Sequence, residues 1–95
     1  MTTTIEYTRH MRHAWDDLAA AWEREGVDVA TIALLEVGPP NSEGHSTYVL
    51  TRYNGFGHAP LPGYALPLTP PIMILLLEAA LGCVHMIRAA RDVEQ

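Results

Sequence analysis

The sequence predicts an α+β fold: a small single-layer antiparallel sheet of two or three strands, an N-terminal amphipathic helix and a long apolar C-terminal helix, in the order α-β-β-loop-α. Three observations carry that expectation. Met11, Trp15, Leu18 and Trp22 fall at helical spacing near the N-terminus. Two runs rich in β-branched residues flank a turn-rich loop in the middle of the chain. Near the C-terminus, TPPIMILLLEAALGCVHMIRAARD is apolar almost all the way round a helix.

The first helix is expected from about Thr8 to Glu25, with Thr8 as cap and Gly26 where a C′ glycine stops a helix. Residues 1–7 read as a lead-in, an extended edge with Ile5 and Tyr7. Trp15 and Trp22 belong to the core side, while Arg12, Asp16, Asp17, Ala20, Glu23 and Arg24 form the solvated side. His10, His13 and Asp17 share a flank at a spacing that suits a metal, but no second pair of ligands accompanies them, so neither metal nor cofactor is expected.

Val27–Val37 is compatible with helix or strand. Its Val, Ile and Thr content, and its short length between Gly26 and Gly38-Pro39-Pro40, favour a strand covered on both faces. Gly38–His45 is a loop by turn chemistry, and Ser46–Tyr53 a second strand pairing antiparallel with the first. Asn54–Leu68 is a long Pro- and Gly-rich connector, with a short third strand expected near Tyr64–Leu66 and a core-capping role for Phe56, Leu61, Tyr64 and Leu66.

The last helix is expected over Thr69–Asp92, with Thr69 as N-cap, Pro70 at the first helical position and Arg88 and Arg91 in the closing turns. Only Glu78, His85 and Asp92 make a wet stripe, with Arg88 beside it. A helix apolar on more than one side is buried on more than one side, and a 95-residue single domain covers one of them. A second copy is expected on the other, with Met73, Leu77, Leu81 and Val84 as the dimer interface, and the Glu78 and His85 stripe as a solvent groove or a polar lock within that interface. Cys83 reads as a small core residue, without a CxxC companion or an activating base.

Composition limits the function classes. Net charge is −5, and all six positive residues are arginine. Residues 16–43 hold seven acids and one arginine, and the rest of the chain four acids and five arginines. No basic footprint is available for a phosphate backbone, so direct nucleic-acid binding is not expected. Leu66–Ile87 carries prolines near its start and Glu78 and His85 within, and its uninterrupted run Pro70–Leu77 falls short of the about 20 residues of a membrane span. With no apolar signal segment at this N-terminus and one cysteine, the expected location is cytoplasmic.

The function expected from these features is non-enzymatic. The chain reads as an interaction module, an inhibitor or regulator that meets a basic protein surface through Asp16, Asp17, Glu23, Glu25 and Glu36. Size and charge match small phage or mobile-element inhibitors of bacterial nucleic-acid-targeting defence systems, an analogy of composition alone. Two alternatives stand beside it. One is a small enzyme or ligand-binding protein with a site under residues 54–68 or at a dimer interface, drawing on His58, Tyr64, Glu78 and His85. The other is a subunit of a larger assembly docked through the final helix.

Overall fold

Thr3 and Glu6 close a capping box that starts the first helix (α1, Thr4–Arg24) earlier than expected. Thr3 Oγ1 accepts the Glu6 amide at 3.1 Å, and Glu6 Oε2 accepts the Thr3 amide at 2.9 Å. Thr8 is therefore interior, its hydroxyl donating to the Thr4 carbonyl. Ile5 and Tyr7 stand on the first turns of the helix, not on an extended edge. Gly26 ends the helix with φ +89°, a left-handed conformation that a Cβ would disfavour. These are features of a computed structural model that describes residues 3–62 and 64–94.

The segment after Gly26 is not strand throughout. Asp28 Oδ1 accepts the Ala30 amide and nucleates a 3-10 turn at Val29–Thr31, so the first strand begins later (β1, Ile32–Val37). It pairs antiparallel with the second strand (β2, Thr47–Tyr53), with Leu34 opposite Leu50 and Glu36 opposite Tyr48. A third strand (β3, His58–Pro60) pairs with the far end of β2. It follows the turn at 54–57 and does not lie at Tyr64–Leu66. Asn54 Oδ1 accepts the amides of Phe56 and Gly57, and Gly55 takes φ +96°, so this dipeptide turns a hairpin. Phe56, expected in the core, sits fully exposed at its tip. Leu68 then meets Tyr48 through two backbone hydrogen bonds and extends that edge of the sheet.

The sheet order is β1-β2-β3, and the second helix (α2, Pro70–Glu94) closes the α+β layout. The two helices run side by side in the same direction. His10 Nε2 lies 3.3 Å from Glu78 Oε1, and further along Arg91 pairs with Glu25. Where they meet the sheet, Met11, Ala14 and Leu18 of α1 join Met73, Ile74 and Leu77 of α2 over Leu34, Tyr48 and Leu50. Met11, Leu18, Leu50, Met73 and Leu77 are fully buried, each contributing about 1.5–3 kcal/mol relative to exposure. Beyond Gly82 the helix has few covered residues: Val84 is half-buried, and Cys83, Met86, Ile87 and Val93 are exposed. The radius of gyration, 14.6 Å, exceeds the about 12–13 Å of a compact chain this long. A long helix that outruns its sheet has that effect.

Candidate functional site: the outer face of the final helix

Helix α2 has two apolar faces, and its own fold uses one. The inner face presents Met73, Ile74, Leu77, Ala80, Leu81 and Val84 to α1 and the sheet, all buried or half-buried. Of the residues expected at a dimer interface, Met73 and Leu77 are fully buried in the protein's own core, and Leu81 and Val84 are half-buried against it. The outer face carries Ile72, Leu75, Ala79, Gly82, Met86, Ala89 and Val93, all exposed. Ile72 is 53 % exposed, Leu75 67 %, Met86 73 % and Val93 85 %.

The spacing along this outer face alternates three and four residues from Ile72 to Val93. That spacing keeps these residues on one side of the helix, as along the seams where two helices pack together. At 1.5 Å per residue this face is about 31 Å long. Its middle is small, with Ala79 and Gly82 on the seam and Cys83 beside it, so that a neighbouring backbone can come close. Cys83 is exposed on this face and is not a core residue.

Two flanks border the seam. On one, Glu78, His85 and Asp92 form the wet stripe, all exposed, with Glu78 held at one oxygen by His10. On the other, the connector before α2 folds back against the helix. Tyr64, Ala65, Leu66 and Leu68 line a shallow apolar hollow with Leu76, and Leu66 is largely exposed beside it. Burial pushes the Tyr64 hydroxyl above its ordinary range, and the nearby Cys83 thiol adds to the effect.

The expected acidic surface is partly consumed by the fold. Asp16, Asp17 and Glu23 are exposed on α1. Glu25 is half-buried and paired with Arg91. Glu36 accepts from Ser46 Oγ at 3.1 Å and lies 3.5 Å from the Tyr48 hydroxyl. Arg9, Arg12 and Arg24 are exposed on the same helix, and Arg12 also sits over the Tyr48 ring. Three acids among three arginines make a mixed face, more modest than the charge count of residues 16–43 suggests.

The candidates for a small-molecule site are dispersed. His58 stands on β3, its Nδ1 3.2 Å from Thr51 Oγ1 and its ring packed against Tyr53. Tyr64 lines two clefts, the hollow on α2 of about 320 Å³, where it is the one polar side chain, and one of about 210 Å³ with Trp22, Val27, Ile32, Arg52, Leu61 and Pro62, and neither contains His58, Glu78 or His85. Ligand sites are commonly about 300–1,000 Å³ with convergent polar groups. His10 and His13 are exposed, and among the described residues no group of three or more His, Cys, Asp or Glu side chains is placed to hold a metal. Trp15 and Trp22, half-buried, meet edge to face across 6.2 Å on the core side of α1.

Compared with family models, with curated proteins and with solved structures, the chain matches none.

Proposed function

We propose that this chain is a non-enzymatic protein–protein interaction module whose recognition surface is the exposed side of its two helices. The observation that supports this reading is the apolar seam from Ile72 to Val93, left open along the length of α2. Monomeric proteins rarely leave extended apolar patches uncovered unless they serve as contact surfaces. The acids that remain free on α1, Asp16, Asp17 and Glu23, supply a second element that steers a basic protein partner. A basic surface of that kind is often one that binds nucleic acid, so an inhibitor or regulator of a nucleic-acid-handling protein is the subclass this reading favours.

The test is binding by the full chain to a protein that co-purifies with it. Reversing Asp16, Asp17 and Glu23 to Arg should leave the circular dichroism spectrum intact and slow association with that protein. The wild-type on-rate should fall as salt rises, because the Debye length is only about 10 Å at 0.1 M. Unchanged binding by the triple variant, with no salt dependence in the wild type, removes the acidic element. A wild type that retains no protein, its own copies included, ends the proposal.

A further inference from the structure

We infer that the outer seam of α2 is occupied by the same seam of a second copy of this chain, running antiparallel, with Ala79 of each protomer level with the partner's Gly82. This rests on the interaction reading above and supplies its first partner.

The residue order selects this arrangement. When the axes run oppositely about the Ala79–Gly82 centre, Leu75 stands level with the partner's Met86 and Ile72 with the partner's Ala89. Large residues then meet small or flexible ones in the Ile72–Ala89 and Leu75–Met86 layers, and the smallest pair, Ala79 with Gly82, lies where the backbones cross most closely. The flanks agree. Glu78 comes beside the partner's His85, and His85 beside the partner's Glu78, giving two symmetric pairings of opposite character. The Glu78 carboxylate has a second oxygen for this bond while Oε1 stays with His10. On the opposite flank Leu76 meets the partner's Cys83.

A parallel pairing lacks these matches. Gly82 would face the partner's Gly82 and leave a void, Glu78 would lie beside the partner's Cys83, and His85 beside the partner's Ala90. A lipid surface is the other apolar solvent to weigh, since α2 is long and apolar enough to cross a membrane by composition. Spanning would strip Met73, Ile74 and Leu77 out of the core, where all three are buried. It would also carry Glu78, His85, Arg88, Arg91 and Asp92 into or along hydrocarbon. A seam in steps of three and four residues is a feature that a partner helix reads and lipid does not.

The experiment uses the full chain with Cys83→Ala, so that any thiol is an introduced one. One preparation carries Leu75→Cys and a second Met86→Cys, with tags of different size, and both are oxidised mildly alone and after mixing. In the antiparallel pair Leu75 is eleven residues out of level with its own copy, about 16 Å along the axis, too far for a disulfide. The expected result is crosslinking in the mixture and in neither preparation alone. In parallel, Leu75→Glu without introduced cysteine should raise the dimer dissociation constant about a hundredfold or more at unchanged helix content.

Crosslinking of Leu75→Cys alone would establish parallel pairing and overturn the inference. A wild type that is monomeric in solution and floats with phosphatidylcholine vesicles would replace the second copy with lipid. A monomeric wild type whose co-purifying protein is lost on Leu75→Glu overturns this inference while leaving the interaction reading in place. A monomer whose binding ignores Leu75→Glu removes both uses of the seam.

Discussion

The inner and outer faces of α2 are built from the same kinds of residue and meet opposite surroundings. Met73, Ile74 and Leu77 are buried against α1 and the sheet, while Ile72, Leu75 and Met86, one or two positions away in sequence or further along the helix, are exposed. Hydrophobicity alone does not distinguish them. What does is phase. The inner residues sit at positions that α1 reaches through Met11, Ala14 and Leu18, and on one flank the wet stripe of Glu78 and His85 divides them from the outer seam. One helix therefore holds a fold together with one side and leaves the other side, unchanged in character, exposed.

The sharpest way to separate the two faces is a matched pair of truncations. Leu77→Ala should destabilise the chain by about 2–5 kcal/mol, because it removes a fully buried side chain and leaves a cavity. Leu75→Ala, two positions away and mostly exposed, should stay within about 0.5 kcal/mol. Urea denaturation at low protein concentration, where association contributes least, makes the comparison. Equal effects would mean that the two faces are not distinct in the monomer.

Smaller effects probe the ends of the helices. Thr3→Ala removes half of the capping box and should cost about 1 kcal/mol in the same assay. Arg91→Ala releases Glu25 at the overhanging end of α2, where the arginine is largely exposed, and should cost no more than about 1 kcal/mol. If Arg91→Ala were instead as damaging as Leu77→Ala, the overhang would be part of the cooperative core.

The mildest effect is a pH dependence on the connector flank. The Tyr64 hydroxyl titrates above its ordinary value of 10.0 in the folded chain because it is partly buried and lies near Cys83. The unfolded chain therefore loses this proton first. The associated stability is fully present below about pH 10 and is lost as pH rises through the folded value. Phenolate absorbance should show a late-ionising tyrosine in the wild type that is missing in Tyr64→Phe, and the alkaline decline in stability should be shallower in that variant. No change in either would place Tyr64 in solvent, away from Cys83.

Much of this architecture was legible in the residues. Helical periodicity located both helices, and β-branched content located the β1–β2 pair. The all-round apolarity of residues 70–93 announced a helix with two apolar sides, of which the fold covers one. Which side faces inward was not legible, because a helical projection ranks faces by polarity and these two tie. Met73, Leu77, Leu81 and Val84 are the natural choice for an interface on hydrophobicity, and the fold buries Met73 and Leu77 in its core and half-covers Leu81 and Val84. The three-and-four spacing does not separate the faces, since Met73, Leu77, Ala80 and Val84 share it, but the outer one has Ala79 and Gly82 at its middle. Two local motifs were equally readable. The Thr3–Glu6 capping box outranks Thr8, and Asn54-Gly55 is a hairpin turn even before a Pro-rich stretch. The acidic surface could not be sized from charge counts, because the pairing of Glu25 with Arg91 and of Glu36 with Ser46 and Tyr48 arises only in the fold.

The most direct measurement of the central claim, that the outer face of α2 is reserved for a second copy, is sedimentation velocity of the wild type and of Leu75→Glu at tens of micromolar. The account predicts a wild-type species of twice the 10.5 kDa chain mass and a Leu75→Glu species of that mass itself, with the same helix content. A monodisperse wild-type monomer, or a Leu75→Glu variant that remains dimeric, would contradict it.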